Sequence, residues 1–281
     1  MRNDEQPITN FAISSTLTLM NQSMSSNSPR QNNQTPDFSV VIPFFNEENN
    51  VEPVLQELRD VLQSQSRSYE VVVVDDGSMD GTAMRLKQET AGWPAARVFR
   101  LARNCGQAGA LLAGMRSAKG KDIVLLDGDG QNDPRDIEKA LCALGRYDMV
   151  IGHRVDRHDS FKRRLISSLG NSVRRIFTND GVSDAGCGLK VFHREVLDAF
   201  IPIRTLYSFM PALAKAAGFS IGEIPVNHRS RHSGTAKYNL RVFLWRPAVD
   251  LLGIWWFSHR RCPRTTVEEI TNDRSRSGNT G

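Results

Sequence analysis

The chain has little of what small secreted or zinc-bound domains depend on. Its four cysteines, Cys105, Cys142, Cys187 and Cys262, are widely spaced and form no CxxC pair. That excludes a zinc ribbon and a disulfide framework and suits a reducing cytoplasm. The six histidines are scattered, none at zinc-ligand spacing. The strongest apolar stretch, Val242–Phe257, has sixteen residues and contains Arg246 and Pro247, short of the roughly twenty needed to span a bilayer. Residues 1–36 are rich in Asn, Ser, Gln and Thr. They lack both an apolar period and a basic start joined to an apolar run, so they read as a disordered segment and not as a secretory signal.

What is present begins with a moderate basic excess, a formal charge of +5 and a pI near 9.2. It is local: Lys162, Arg163, Arg164, Arg174 and Arg175 form one cluster, Arg229, Arg231, Lys237 and Arg241 a second, and Arg260, Arg261 and Arg264 a third. No aromatic platform or recognition motif accompanies them, which argues against nucleic acid and leaves phosphate and anionic lipid.

From Phe38 to Ile151, short apolar runs alternate with helical patterns. Strands are expected at Phe38–Ile42 (closed by Pro43), Val71–Val74, Arg97–Leu101, Ile123–Leu126 and Asp148–Ile151. Helices are expected after Asn46, near Gly81 with Asp80 as cap, from Gly106 to Met115, and after Pro134. This is the rhythm of βαβ units in a mostly parallel sheet with helices on both faces. Polar groups gather where the strands end: Asn46 and Glu47, Asp75 and Asp76, Asn104, then Asp127-Gly128-Asp129-Gly130-Gln131. Parallel strands bring those ends to one edge, where open α/β sheets bind ligands. Oxygen ligands at alternate positions suit Mg²⁺ or Mn²⁺ that is also held by phosphates. An EF-hand is excluded by Asn132 at the required glycine, and the Ser or Thr usual in a phosphatase-type aspartate pair is Gln131. A nucleotide-plus-metal pocket is therefore expected at this edge.

The second half is less regular. Phe161, Leu165, Leu169, Val173 and Ile176 mark one face of a basic helix, on a membrane surface or against the core. Ser183–Gly188 reads as a tight loop, Leu189–Phe192 and Ile221–Val226 as strands, and Arg229–Asn239 as a mobile basic loop able to close on an anion. The helix at 241–260 carries Trp245, Trp255 and Trp256 and fits a membrane interface, with packing on the core as the rival reading. Residues 261–281 read as a basic disordered tail.

Taken in order, Val41-Ile42-Pro43-Phe44-Phe45-Asn46-Glu47, Asp75-Asp76-Gly77-Ser78 with Asp80-Gly81-Thr82, Arg103-Asn104 with Gly106, Asp127 to Pro134, Gly152-His153-Arg154, Asp184 to Phe192 and Gly234 to Tyr238 resemble family 2 glycosyltransferases of the GT-A fold. The branch is that of the polyprenyl-phosphate sugar synthases, which includes dolichol-phosphate mannose synthase. The motifs span about Ser39 to Leu240 and are specific as a set, giving a catalytic domain over 37–240.

The resemblance implies that Pro43, Glu47 and Asp75 hold the nucleoside, supported by Asp76 and joined by Ser78 and Asn104. It implies that Asp127, Asp129 and Gln131 carry the metal and donor diphosphate, Asp129 and Gln131 most directly. Arg154, Lys162, Arg163, Lys190, Arg231 and Lys237 would meet acceptor phosphate, Lys237 from a loop that folds over the site. Ala236 stands where that loop usually has Ser, and Lys190 where many relatives have Arg. The implied partners are a GDP- or UDP-hexose, a polyprenyl phosphate, the anionic inner face of the cytoplasmic membrane and a membrane partner protein.

The implied reaction is a single inverting displacement, in which Asp127 and Asp129 serve the departing diphosphate. A phosphate acceptor needs no general base. A hydroxyl acceptor would need one, and Asp184 is the candidate. A non-catalytic nucleotide-sugar binding protein would bind donor without turnover. A nucleotidyltransferase would need a glycine-rich basic turn where Pro43–Glu47 stands.

Overall fold

The computed structural model describes residues 35–155, 177–229 and 240–262, with side chains in the last helix described from Val249 onward. The expected basic helix at 161–176 and the loop at 230–239 lie outside the described residues, as do the two terminal segments through Gln34 and from Pro263.

Seven strands form one sheet in the order β3-β2-β1-β4-β6-β5-β7. They are β1 (Phe38–Phe44), β2 (Tyr69–Asp75), β3 (Ala96–Arg100), β4 (Asp122–Leu125), β5 (Met149–Arg154), β6 (Lys190–His193) and β7 (Ile221–Val226). The helices are α1 (Glu48–Gln63), α2 (Thr82–Thr90), α3 (Gly106–Ser117), α4 (Asp136–Ala143), α5 (Leu206–Ala216) and α6 (Leu240–Arg260), with a 3₁₀ turn at Arg194–Ala199. Val71–Val74 and Val40–Ile42 are fully buried, because these central strands are covered on both faces and therefore read as continuous apolar runs. Helix α1 presents Val51, Leu55, Leu58 and Leu62 to this core, the three-and-four spacing of one helical face.

The sheet is parallel except at β6, which runs antiparallel to both β4 and β5. The carboxyl ends of β1 to β5 and β7 thus share one edge, and β6 starts there. Its first residue, Lys190, is registered with Leu125, two residues before Asp127.

Pro43 does not close β1, contrary to expectation. It pairs in register with Val74, and Phe44 with Asp75, whereas the β1–β4 ladder stops at Val41↔Leu125. Val41 O accepts from Leu126 on the β4 side and Phe44 O from Asp76 on the β2 side. Alternation then puts the Pro43 nitrogen on the β4 side, beyond the last pair, where no N–H is needed. The N-cap of α2 is Gly81, not Asp80 as expected, and no side chain caps it; Asp80, one residue earlier, accepts from Thr82 N at 3.0 Å through Oδ1. The helix α5 carries Pro211 within it and has no counterpart in the sequence reading.

Helix α6 packs on α5 by one face, as the core reading expects, and leaves apolar residues exposed on the other. Leu251 and Ile254 pack with Phe209 and Ala212 of α5, and Thr205 Oγ1 donates to Asp250 Oδ2 at 2.7 Å. Val249, Leu252, Trp255 and Trp256 are exposed. Among the described residues no helix is long and apolar enough to cross a membrane.

Gly77 turns the chain out of β2 with φ +69°, and a Cβ there would lie 2.7 Å from the Arg103 carbonyl carbon and 2.8 Å from Asn104 N. Both conformation and space exclude a side chain. Gly77→Ala should lower the unfolding free energy by about 2 kcal/mol, measured by urea denaturation, while Gly92→Ala, with φ +70° but open space around it, should cost less.

Candidate active site

The turns after β1 and β2 are built as one unit. Asn46, in a left-handed conformation, donates its N–H to Ser78 Oγ at 2.9 Å, and its Oδ1 accepts from Met79 N at 2.9 Å. Glu47 N donates to Thr82 Oγ1 at 2.9 Å. Asp75 is fully buried; its Oδ1 accepts from Ser78 N at 3.0 Å and its Oδ2 lies 3.1 Å from Arg100 Nε. Asp76 accepts from Cys105 N at 2.7 Å and Asn104 Nδ2 at 3.0 Å. Burial raises its pKa, helped by the Asp75 charge and opposed by the Cys105 and Gly106 N–H groups. Asp75, Asp76, Ser78 and Asn104 are thus brought together as expected, with the carboxylates shaping the loops that would form a nucleoside wall.

Across the edge, Asp127 leaves β4 held on both oxygens. Gln107 Nε2 donates to Oδ1 at 3.0 Å and Tyr207 OH to Oδ2 at 3.0 Å. Burial and the neighbouring Asp129 charge push its pKa up to about 6, against the pull of Lys190. Gly188 makes the close approach feasible: a Cβ there would fall 2.1 Å from Asn132 Oδ1 and 2.5 Å from Asp127 Oδ2. Gln107 and Tyr207 are site residues that the sequence reading missed. Gln107 stands beside the recognised Gly106, but nothing local marks Tyr207.

Lys190 requires a correction. It is expected among acceptor-phosphate contacts, yet its side chain is fully buried. Its Nζ donates to Cys187 O and sits 3.5 Å from the centre of the Tyr207 ring. Burial lowers its pKa to about 8, and the negative groups around it, Asp127 and Asp184 among them, oppose that fall. A buried ammonium must be compensated, and here it is the counter-charge beneath Asp127.

Arg154, ending β5, forks onto Asp184. Nε donates to Oδ2 and Nη2 to Oδ1, both at 2.7 Å. Burial works against the guanidinium charge, but the Asp184 hydrogen bonds and charge outweigh it and raise the Arg154 pKa. Asp184 is buried with both oxygens engaged, and its N–H donates to Glu223 Oε1 at 3.2 Å. Lys162, Arg163, Arg231 and Lys237 lie outside the described residues.

Asp129 Oδ1 accepts from Gln131 N at 3.1 Å, and Gln131 Nε2 lies 3.3 Å from Arg229 O. Among the described residues no group of three or more His, Cys, Asp or Glu side chains converges as a metal site. Asp127, Asp129 and the Gln131 amide oxygen still fit a divalent cation that takes its other oxygens from a diphosphate. The repulsion between the two carboxylates is what such a cation would relieve.

A mostly parallel sheet with acidic loops at its carboxyl edge is the architecture of a GT-A glycosyltransferase. The profile described as "Glycosyl transferase family 2" matches residues 39–200, and the chain belongs to that family of sugar-transferring enzymes. It is 34% identical over 231 residues to a dodecaprenyl-phosphate galacturonate synthase from Rhizobium johnstonii, covering 80% of this chain and 68% of that protein. It is 38% identical over 205 residues to an undecaprenyl-phosphate 4-deoxy-4-formamido-L-arabinose transferase from Edwardsiella ictaluri, covering 72% of this chain and 63% of that one. The fold is shared with glucosyl-3-phosphoglycerate synthase from Mycobacterium tuberculosis, solved with Mg²⁺ and uridine diphosphate (TM-score 0.60, 17% identity, 79% of each chain). It is shared too with a mannosyltransferase from Pyrobaculum calidifontis, solved with GDP-mannose and Mn²⁺ (TM-score 0.56, 22% identity, 83% of this chain and 67% of that one).

Lys190 gives the site a measurable pH signature. As pH falls the unfolded chain takes up this proton near 10.5, the native protein only near 8, so the residue's contribution to stability rises with pH across that window. The unfolding free energy of the wild type relative to Lys190→Met should therefore increase by about 2 kcal/mol between pH 8 and pH 10, read from urea denaturation at the two values.

Proposed function

We propose that this protein transfers a sugar from a nucleotide diphosphate donor to a polyprenyl phosphate at the inner face of the cytoplasmic membrane, with inversion at the anomeric carbon. The observation that carries the reading is the meeting, on one sheet edge, of the loops bearing Asp75, Asp76, Ser78 and Asn104, which we assign as the nucleoside wall, and the Asp127–Gln131 turn, in a chain whose relatives are named for polyprenyl-phosphate sugar transfer. The donor is a GDP- or UDP-linked sugar. A mannose- or glucose-like hexose is the first candidate, and the relatives' names add a uronate and a formamido-arabinose to the range.

In this scheme Pro43 and Glu47 complete the nucleoside wall, and Asp129 and Gln131 hold Mg²⁺ or Mn²⁺ with the diphosphate. When bound, the cation neutralises charge on the leaving group. Asp127 orients this turn, fixed by Gln107, Tyr207 and the Lys190 charge. An acceptor phosphate oxygen attacks the anomeric carbon while the bond to the donor diphosphate breaks and its electron pair stays on the diphosphate oxygen. The acceptor is already anionic near neutral pH, so no base is required. That Asp184 has both oxygens on Arg154 favours this over a hydroxyl acceptor, for which Asp184 would have to remove a proton. The cationic Arg154, with Lys162, Arg163, Arg231 and Lys237, supplies the positive surroundings for the acceptor phosphate.

The test pairs a panel of radiolabelled nucleotide sugars with a polyprenyl phosphate and follows label into an organic-extractable lipid. The wild type should transfer label only with a divalent cation present. Asp129→Ala should lose at least about a hundredfold in turnover, in line with removing a group that stabilises transition-state charge; undiminished turnover in excess chelator would overturn the assignment.

The exposed face of α6, with Leu252, Trp255 and Trp256 and the exposed Arg260 at the helix end, is the proposed membrane contact. Replacing Leu252, Trp255 and Trp256 by Ser leaves the Leu251–Ile254 seam on α5 untouched. It should reduce co-flotation with anionic vesicles several-fold, and unchanged flotation would count against this face.

A further inference from the structure

Arg229 stands just beyond β7, outside the set of residues that the family motifs assign. Its main chain is stitched to the Asp127–Gln131 turn. Arg229 N donates to Gln131 O at 3.0 Å, Gln131 Nε2 donates back to Arg229 O at 3.3 Å, and an antiparallel bridge joins Asn132 to His228. Its side chain reaches in two further directions. Nη1 donates to both oxygens of Glu57 on α1, at 2.8 and 3.0 Å, and Nη2 lies 2.5 Å from Asp133 Oδ2. The Glu57 and Arg229 side chains are each more than two-thirds buried, and Asp133 is buried.

The arrangement has a mechanical consequence. Gln131 belongs to a turn that leaves β4 with glycines at 128 and 130, so its own backbone does little to fix it. Arg229 ties it to α1 and to the end of β7 at once. A planar guanidinium forked between two carboxylates holds direction as well as distance, and the partial burial reduces screening of both pairs. Arg135 repeats part of the pattern, 3.3 Å from Asp133 and 3.7 Å from Glu57, but its side chain is 71% exposed.

We propose that Arg229 is a positioning residue that fixes the Gln131 side of the cation–diphosphate site by clamping the 131–133 turn to α1. The proposal rests on the assignment of Asp129 and Gln131 to that site. Loss of the clamp should weaken cation engagement without removing any ligand, so the defect should yield to excess metal. A defect in overall packing would not.

The experiment titrates Mn²⁺ in the transfer assay with full-length wild type, Arg229→Gln, Arg229→Lys, Glu57→Gln, the Arg229→Gln/Glu57→Gln double variant and Arg135→Gln, with Asp129→Ala alongside. Direct Mn²⁺ binding in the presence of nucleoside diphosphate is followed by electron paramagnetic resonance. Arg229→Gln should raise the half-saturating Mn²⁺ concentration about tenfold, with kcat recovered to within about threefold at saturating Mn²⁺. Arg229→Lys, which keeps the charge but not the fork, should fall between, and it guards against a folding failure of the glutamine variant. Glu57→Gln should add little in the Arg229→Gln background, the mark of a shared interaction. Arg135→Gln should change the half-saturating concentration less than twofold. An unchanged Mn²⁺ requirement in both Arg229 variants, with Asp129→Ala losing Mn²⁺ binding, would overturn this inference alone. Wild-type Mn²⁺ binding retained by Asp129→Ala would overturn the site assignment and this inference with it.

Discussion

Everything at the carboxyl edge depends on how negative charge is tolerated there. Asp127 and Asp129 stand two residues apart at the end of a buried strand, and burial, with their mutual repulsion, drives the Asp127 pKa up. The fold answers with a fully buried Lys190 and with hydrogen bonds from Gln107 and Tyr207 to the two Asp127 oxygens. Antiparallel β6 is what makes this feasible. Because it begins at the edge where its neighbours end, its first residue enters beneath the Asp127 turn. Were β6 parallel, the same register would send Lys190 to the opposite end of the sheet.

The acidic groups divide by what holds them. Asp75 and Asp76 are absorbed by the first turns: backbone N–H groups of Ser78 and Cys105 use their charge, and Asn46 locks two loops by donating its N–H to Ser78 Oγ and accepting from Met79 N. Asp184 is absorbed by Arg154. Asp129 accepts from Gln131 N within its own glycine-flanked turn, beside the like charge of Asp127.

The strands of the first half were legible because their information is local. Val71–Val74 or Ile123–Leu126 is apolar in a way only a doubly covered strand requires, and the polar residue that follows marks its end. Pro43 misled because proline's cost depends on which side of the strand its nitrogen faces, a matter settled by where β4 stops pairing. The apolar run of β6 is visible and its direction is not, so nothing local shows that Lys190, which the resemblance puts among the acceptor-phosphate contacts, is buried. Tyr207 and Arg229 reach the site from 80 and 98 positions away from Asp127 and Gln131 respectively, and no spacing rule spans such distances. Helix α5 went unread with Pro211 in its middle, although its burial of Leu206, Phe209, Met210 and Leu213 is what makes it part of the core.

That helix also joins the two ends of the proposed function. Its first turn carries Tyr207 to Asp127, while Phe209 and Ala212 on the same helix receive Leu251 and Ile254 of α6. The hydrogen bond from Thr205 to Asp250 fixes α6 at the start of α5, close in sequence to the tyrosine. The exposed tryptophan face of α6 is therefore one packed helix away from the carboxylate turn. Such a layout holds that exposed apolar face at a set distance from the Asp127 turn, the proposed donor site. In the proposed function a polyprenyl phosphate would offer its reactive oxygen at the headgroup layer, and the connection through α5 would present the sugar there without the lipid having to be lifted out of the membrane.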